Sequence, residues 1–313
     1  MIVRVACHAM GTRFEIVLAG DDEHRLRAAG QEALEEIQDC DHRLSLFRPD
    51  SFLSHINANA ASRHVQLDDE TFELLAECLQ IHRASGGAFD ITVAPLMRAW
   101  GFHGHLNEHP RPSEIAPVGS DAIILDHLRR NIRFARHGLA LDLGGVAKGH
   151  ALDAAAALLR DCGIRCALLH GGTSTVVAIG APPHGQGWHV ALRSEGDCPV
   201  VTLRDAALSV SAPHGRMIDV DGQPFGHVMN PATNAPAHGT YLAAVIAPTA
   251  RRADAWSTAL LVLGDKRQNI PDDLTVLTMP SPGNHPLNYR LAGRQPDLFS
   301  LPTHRHPVAE MMS

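Results

Sequence analysis

The sequence predicts an α+β protein, and three observations indicate this class. The 313 residues are 45% hydrophobic and 19% charged, which is enough apolar material for a large core, as one big domain or two closely packed ones. Stretches with helical periodicity are interspersed with short alternating or apolar runs, but the two kinds do not alternate strictly, which favours mixed, largely antiparallel sheets. No internal repeat of solenoid length is present. We therefore expect residues 1–313 to form a single domain.

The elements of the N-terminal third follow from periodicity and capping residues. Leu26, Ala33 and Ile37 recur at helical spacing, and Ser51 and Asp68 are suited to cap the helices that follow them. The predicted elements are a strand at 13–18, a helix at 22–43, a turn at 47–51, a short helix at 51–56 broken by 57–59, a helix from 68 to the Gly86-Gly87 pair, a short helical stretch near Pro95 and a loop at 101–117.

The remainder of the chain is predicted to contain most of the strands. Glycines mark the ends of two helices, because a left-handed residue commonly terminates a helix. The predicted elements are strands at 122–125 and 131–134, an apolar strand at 139–143, a helix ending at Gly163, strands at 167–170 and 175–179, a β region at 188–211, a helix at 250–263 ending at Gly264, and a Pro-rich, mostly irregular segment at 280–313.

Charge and cysteine content exclude some function classes. The net charge is −7 and only Lys148 and Lys266 are lysines, so we expect no nucleic-acid partner. The six cysteines form no Cys-x-x-Cys pair, which is typical of free thiols in a reducing compartment. The N-terminus lacks the apolar core of a signal peptide, and no apolar run is long enough to span a bilayer. We therefore expect a cytoplasmic protein, the alternative being an exported protein whose leader has been removed.

The segment from Leu139 to Asp153 is the most informative part of the chain. It reads as a short strand, a Gly144-Gly145 turn and the start of a helix. Such a turn leaves backbone N–H groups approachable by a phosphate. Its spacing matches neither the Walker A pattern nor the dinucleotide Gly-x-Gly-x-x-Gly pattern. A plain tight turn between a strand and a helix is the alternative.

A second pattern is the pair Asp254 and Thr258, four residues apart on a predicted helix. Residues at this spacing lie on one face, so a carboxylate and a hydroxyl come together one turn apart. Oxygen donors of this kind suit Mg²⁺, which keeps waters and substrate phosphates as further ligands. The alternative is an Asp that only complements the helix dipole, with a packed Thr.

Histidines suggest two further hypotheses. His227 enters the Pro-punctuated segment 226–236, where an imidazole can act as a general base or acid. A surface or core histidine is the alternative. The pairs His103/His105 and His304/His306 raise the possibility of a zinc site, but no Cys or Glu accompanies them at ligand spacing.

Taken in chain order, these motifs resemble the FAD:protein FMN transferase family, called ApbE. The resemblance covers about 7–264 and rests on Met10-Gly-Thr-Arg-Phe14, Arg43-Leu-Ser-Leu-Phe-Arg-Pro-Asp-Ser51 with Asn57, Gly87-Ala-Phe-Asp90 through Trp100-Gly-Phe102, Asp142-Leu-Gly-Gly-Val-Ala-Lys-Gly149, His170-Gly-Gly172, His227 with Pro231, and Ala253-Asp-Ala-Trp-Ser-Thr258.

The resemblance implies a fold and an activity. The fold would be two intimately packed α/β subdomains with an FAD cleft between them. The activity would be Mg²⁺-dependent transfer of the FMN half of FAD to a Ser or Thr hydroxyl of an acceptor flavoprotein, with release of AMP. Some members instead hydrolyse FAD to FMN and AMP, and that pyrophosphatase activity is one alternative here.

The resemblance also implies roles for particular residues. The catalytic residue would be His227, with Asp254 as a second candidate. The metal would be held by Asp254, Thr258 and the backbone carbonyl of Gly145. The FAD site would be lined by Met10, Phe47, Ala88, Phe89, Asp90, Asp142, Lys148 and Met229.

Five positions in four places depart from the family pattern. Asn230 and Asn234 replace the usual Asp and Gly, Val210-Ser211-Ala212 replaces Thr-Ser-Gly, and Phe47 stands where Tyr is frequent. Asn tolerates a left-handed backbone almost as Gly does, but it carries no charge. These changes leave Asp254, Thr258 and His227 intact. They also leave open a third reading, a non-catalytic flavin-binding protein.

Overall fold

The structure of the protein is a computed structural model. The structure describes residues 1–103, 116–192, 199–213, 215, 217–220, 222–264, 270–280 and 289–301. Three predictions therefore fall mainly outside the described residues. They concern most of the loop at 101–117, the histidines at 105, 304 and 306, and most of the Pro-rich C-terminal segment.

Six helices and eighteen strands occur in the described part of the chain. The helices are α1 (Glu23–Leu44), α2 (Phe52–Asn59), α3 (Asp69–Ala84), α4 (Ala94–Ala99), α5 (Ala147–Asp161) and α6 (Ala250–Leu263). The strands are β1 (Ile2–Ala9), β2 (Thr12–Ala19), β3 (Val65–Gln66), β4 (Ile123–Asp126), β5 (Asn131–Phe134), β6 (Ala167–Gly171), β7 (Thr175–Ile179), β8 (Trp188–Ala191), β9 (Val200–Leu203), β10 (Ala206–Ser211), β11 (Met217–Val220), β12 (Gln223–Gly226), β13 (Met229–Asn230), β14 (Ala235–Pro236), β15 (Thr240–Ala247), β16 (Thr275–Pro280), β17 (Arg290–Gly293) and β18 (Phe299–Ser300).

An eight-stranded antiparallel sheet in the order β1-β2-β6-β7-β10-β15-β16-β17 forms the centre of the molecule. Alternate residues of β15 face opposite sides, as the two-residue period of a strand requires. Ala243 and Val245 join the large core beneath the helices, whereas Leu242 and Ile246 join a second core on the other face. That second core is closed by the small sheet β18-β9-β8. The α+β class with largely antiparallel sheets is confirmed.

The helix predictions are close to the observed bounds. The long helices at 22–43, 68–87 and 250–263 appear as α1, α3 and α6, and Asp22, Ser51 and Asp68 accept backbone N–H groups at the starts of α1, α2 and α3. The break predicted at 57–59 is wrong, because α2 continues to Asn59. Among the described helices, none combines the length and apolar character needed to cross a bilayer.

One strand prediction is corrected by the structure. Residues 139–143 form no strand. The amide of Leu141 donates to the Asn57 side chain, and that of Asp142 donates to the carbonyl of Ile91. The apolar side chains here serve the core, with Leu141 and Leu143 almost fully buried. In the described part of the C-terminal segment, which we expected to be mostly irregular, β17 and β18 pair with β16 and β9.

Candidate active site

The starts of α5 and α6 pack against each other at Gly149. A Cβ atom at this position would lie 2.5 Å from the carbonyl carbon of Ala250 and 2.6 Å from the Cα of Arg251, so only glycine permits this approach. One turn further along α5, the Asp153 carboxylate accepts the amides of Ala250 at 2.7 Å and Arg251 at 3.0 Å. Thr249 makes no side-chain capping bond, so Asp153 caps α6 from the neighbouring helix. Burial raises the pKa of Asp153, against the two amide hydrogen bonds, which lower it.

The carboxylate of Asp254 lies at this helix junction and is 3% exposed. Its Oδ1 accepts hydrogen bonds from the hydroxyls of Ser209 at 2.9 Å and Thr175 at 3.4 Å, and its Oδ2 accepts the amide of Gly149 at 3.1 Å. The ammonium of Lys148 lies 3.9 Å from Oδ2. A carboxylate offers about four acceptor sites, and these bonds use three. The remaining site is on Oδ2, the oxygen nearest Lys148.

The Thr258 hydroxyl lies one turn after Asp254 and against the glycine turn. It donates to the Asp254 carbonyl at 3.2 Å, and a Cβ on Gly145 would lie 3.3 Å from its Oγ1. Ser211 approaches from β10, with its hydroxyl 3.5 Å from that of Thr258 and 2.8 Å from that of Ser257. The structure thus brings together Gly145, Asp254 and Thr258, the three residues expected to hold a metal. Ser209 and Thr175 were missed by sequence reasoning, because small hydroxyl residues on strands carry no distinguishing pattern.

The glycine turn differs from the expected cradle of free amides. Gly144 donates its amide to Asp142 Oδ1 at 2.8 Å, and Gly149 donates to Asp254. The amides of Val146 and Ala147 donate to the carbonyl of Leu143. The expectation that the turn leaves its N–H groups unpaired is therefore wrong for these four residues, because each donates to an acceptor in the turn or to Asp254. The cation available beside the turn is Lys148, which also approaches the Gly144 carbonyl at 3.5 Å.

Asp142 connects this turn to an exposed aromatic ring. Its Oδ2 lies 3.3 Å from Nε2 of His103, and the imidazole of His103 meets the ring of Phe47 edge to face, with 5.3 Å between ring centroids. Phe47 is 69% exposed, so its ring remains accessible to a planar ligand. His103 was considered only as a zinc ligand from sequence. The structure instead places it between two residues of the expected FAD site.

The expected FAD residues of the 88–90 segment are buried. Asp90 accepts hydrogen bonds from the amides and hydroxyls of both Thr92 and Ser120, at 2.6–2.9 Å, and so holds this loop to residue 120. Phe89 is 2% exposed and belongs to the large core, with Ala88 beside it. A Cβ on Gly145 would lie 3.4 Å from the Phe89 ring. The Phe89 ring therefore packs against the glycine turn, whereas Asp90 fixes its own loop.

Met10 and Met229 occupy different surroundings. Met10 and Gly11 form the two-residue turn between β1 and β2, with φ of 50° and 71°, as a type I′ hairpin turn requires. Met229 is buried with Trp100 and Phe102 in a separate apolar cluster.

His227 is partly buried and lies at the end of β12. A Cβ on Gly215 would be 3.1 Å from its Cε1 atom. Ser211, which contacts Ser257, is only four residues before Gly215. In sequence, Ser211, beside Thr258, is therefore close to the glycine that lies against His227. Asn234 has a left-handed backbone, with φ of 53°, as the substitution for Gly suggested.

The fold and this helix junction define a class of protein: an α+β protein with a buried carboxylate and a hydroxyl one helical turn apart where two helices meet, oxygen groups of the type that a hard divalent cation takes as ligands. A model of the ApbE family matches residues 10–272. The chain belongs to this family, which confirms the resemblance seen in its motifs.

Several known proteins are similar to this chain. The FAD:protein FMN transferase of Klebsiella pneumoniae is 30% identical over 272 residues, which cover 82% of this chain and 77% of that protein. The FAD:protein FMN transferase of Escherichia coli K12 is 29% identical with the same coverage. Among solved structures, the ApbE protein of Thermotoga maritima matches with a TM-score of 0.83 and 26% identity, over 92% of this chain and 96% of that chain. The apo flavinyl transferase ApbE of Pseudomonas stutzeri, 24% identical, has the same fold with a TM-score of 0.77 over 93% of this chain and 94% of that one.

Proposed function

We propose that this chain is an Mg²⁺-dependent FAD:protein FMN transferase that moves FMN from FAD to a Ser or Thr hydroxyl of an acceptor flavoprotein and releases AMP. The named activity of the relatives supports the FAD and FMN chemistry. The observation that carries the proposal is the junction of Gly145, Asp254 and Thr258 at the start of α6.

The donor atoms at this junction fit Mg²⁺. They are oxygens, the ligand type that this hard cation requires. Asp254 retains one acceptor site after its three hydrogen bonds, and the carbonyl of Gly145 belongs to a residue packed against Thr258. When bound, Mg²⁺ would neutralise charge on the pyrophosphate.

Other side chains near the junction are suited to bind FAD and to accept the proton of the acceptor hydroxyl. Lys148 is close enough to Asp254 Oδ2 to contact a pyrophosphate oxygen there. Phe47 offers its exposed ring to the flavin or adenine. In the transfer, the acceptor hydroxyl oxygen forms a bond to the FMN phosphorus, the bond from that phosphorus to the bridging oxygen breaks, and the electron pair leaves with AMP. His227 would take the hydroxyl proton, for which an imidazole is suited near neutral pH.

A pair of substitutions at Thr258 tests this proposal. Thr258→Val keeps the shape but removes the oxygen, so we expect loss of turnover and a higher Mg²⁺ requirement. Thr258→Ser is the matched control and should retain both. FAD, FMN and AMP are separated by chromatography across an Mg²⁺ titration. A Val variant with the activity and Mg²⁺ dependence of the unmodified protein would overturn the metal assignment.

His227→Ala tests the proton acceptor separately. We expect turnover to fall by about 10²–10⁴-fold, the usual contribution of a general base, with little change in FAD affinity because the histidine acts on the acceptor. Equal turnover in the variant would refute this role. Release of free FMN and AMP by the unmodified protein, with or without acceptor, would establish hydrolysis in place of transfer.

We also propose that the protein acts in the cytoplasm, the alternative being an exported form without its leader. Five cysteines in the described part of the chain are free thiols, which supports a reducing compartment. Fractionation of the native host tests this, and recovery from the exported fraction would contradict it.

A further inference from the structure

Three helices bring a cysteine, a glutamate and a histidine together away from the proposed active site. Cys40 lies on α1, Glu70 in the first turn of α3 and His150 in the first turn of α5. One potential ligand atom from each residue lies within 4.8 Å of the other two. The residues are 30 and 80 positions apart in sequence, so this proximity arises from helix packing and matches no linear motif.

The geometry of the cluster suits a small metal ion with tetrahedral coordination. Nε2 of His150 is 3.0 Å from Oε1 of Glu70. Ligands at normal zinc distances of about 2.0–2.3 Å are separated from one another by roughly 3.5 Å. The three ligand atoms are separated by 3.0 Å for His150 and Glu70 and by at most 4.8 Å for the other pairs, so side-chain adjustments of about an ångström bring them to this value.

The three side chains of the cluster differ in their exposure to solvent. Cys40 is 2% exposed and the His150 side chain 6% exposed, whereas the Glu70 side chain is 39% exposed. The site is therefore closed on two sides and open to solvent at Glu70, where a water can supply a fourth ligand. Within the described residues, Nδ1 of His150 is buried without a hydrogen-bond partner, so the Glu70 side is where this imidazole is engaged.

The surrounding charges are unequal. Burial first, and then the carboxylates of Glu70, Glu36 and Asp39, raise the pKa of the Cys40 thiol to about 12, against the Arg43 guanidinium, which lowers it. A metal ion that binds this sulfur therefore displaces its proton. Arg43 occupies the other oxygen of Glu70, Oε2, at 2.7 Å, which orients the carboxylate and leaves Oε1 toward His150. A guanidinium in this position resembles the outer-shell groups that orient metal ligands.

We propose that Cys40, Glu70 and His150 form a second metal site, selective for Zn²⁺ or a similar borderline cation and distinct from the oxygen-only junction at Asp254. A sulfur, an imidazole and a carboxylate form a ligand set that zinc accepts and Mg²⁺ does not. The ion ties α1 and α3 to the first turn of α5. His150 directly follows Gly149, which binds the Asp254 carboxylate, so the ion also braces the α5 turn against α6.

The test uses cobalt as a spectroscopic substitute for zinc on the full chain. Metal-free protein is titrated with Co²⁺ in excess Mg²⁺, which saturates oxygen-only sites. We expect one Co²⁺ per chain with a near-ultraviolet sulfur-to-cobalt charge-transfer band, displaced by one equivalent of Zn²⁺. Cys40→Ala should abolish the band, and Cys78→Ala is the matched control, since Cys78 is a buried thiol of α3 outside the cluster.

Glu70→Gln keeps the test decisive if the Cys40 variant fails to fold. Glu70 is partly exposed and the amide preserves its shape, so the fold should persist while Zn²⁺ affinity falls by at least about 10–100-fold. A wild-type chain that binds no Co²⁺ with a thiolate band, or a Glu70→Gln variant with unchanged Zn²⁺ affinity, would overturn the proposal. Neither result would bear on the Mg²⁺ junction, whose test is the Thr258 pair.

Discussion

Substituting Gly149 by Ala perturbs the contact that joins α5 to α6 and to the Asp254 carboxylate. The added Cβ would lie 2.5 Å from the Ala250 carbonyl carbon, about 1 Å closer than the 3.5–4.0 Å at which such atoms pack favourably. Both contacting groups are backbone, so no rotamer change relieves the overlap. The helices must separate, and the 3.1 Å hydrogen bond from Gly149 to Asp254 is strained or lost.

Two opposing effects set the size of this perturbation. Alanine is favoured over glycine in a helix by about 1 kcal/mol. Overpacking costs about 1–3 kcal/mol, and a hydrogen bond to a charged group contributes about 1.5–3 kcal/mol. We expect a net destabilisation of about 1.5–5 kcal/mol if the hydrogen bond is lost, together with a large loss of Mg²⁺-dependent turnover.

The assay is urea unfolding combined with FAD turnover, and Gly30→Ala in α1 is the control. At Gly30 the new Cβ meets only side-chain methyl groups, Val5 Cγ2 at 3.0 Å and Leu18 Cδ1 at 3.1 Å, which can shift by a few tenths of an ångström. The control should therefore be closer to neutral and fully active. If Gly149→Ala unfolds at the same urea concentration as Gly30→Ala and turns over FAD equally fast, the helix contact does not position the carboxylate.

Three further outcomes follow from the same structure. Ser209→Ala removes the 2.9 Å hydrogen bond to Asp254 and should raise the Mg²⁺ concentration needed for half-maximal turnover; an unchanged titration would refute a positioning role. Asp273→Asn breaks the paired contacts with Arg252 at 2.6 and 2.9 Å and should cost about 0.2–1 kcal/mol at pH 7. Because hydrogen bonding and charge from Arg252 lower the pKa of Asp273, this difference in the free energy of unfolding should be complete above about pH 4, the unfolded-state pKa. It should shrink below that pH and vanish as the pH falls through the lower, folded-state pKa; a difference that grows in acid would contradict this. Phe47→Ala should change the free energy of unfolding by less than about 0.5 kcal/mol but raise the KM for FAD, whereas Phe47→Tyr should keep the KM of the unmodified protein. A KM for FAD unchanged in Phe47→Ala would show that the ring does not contact FAD.

Helices were predictable because their apolar spacing and caps are local properties of the sequence. Leu26, Ala33 and Ile37 form the buried stripe of α1, and Asp22 caps its start. The 139–143 strand was mispredicted because alternating buried leucines look the same whether the backbone pairs with a strand or, as here, with the Asn57 side chain. Pairing partners are long-range facts that periodicity does not encode.

In the candidate site, too, the local features could be predicted from the sequence and the long-range contacts could not. Asp254 and Thr258 were found because an i,i+4 pair on a helix shares a face by geometry alone. The hydroxyls of Ser209 and Thr175, which donate hydrogen bonds to the Asp254 carboxylate, come from strands β10 and β7, which are distant in sequence. Likewise, zinc was sought in the histidine-rich loops, whereas the metal-ligand cluster at Cys40 depends on how three helices pack.

The measurement that tests the central claim most directly is the mass of an acceptor flavoprotein fragment bearing a Ser or Thr flavinylation site, incubated with this protein, FAD and Mg²⁺. We expect the fragment to gain the mass of FMN and AMP to appear in equal amount, and we expect neither without Mg²⁺ or with Thr258→Val. An unmodified acceptor, with FAD intact or with free FMN formed regardless of the acceptor, would contradict this claim.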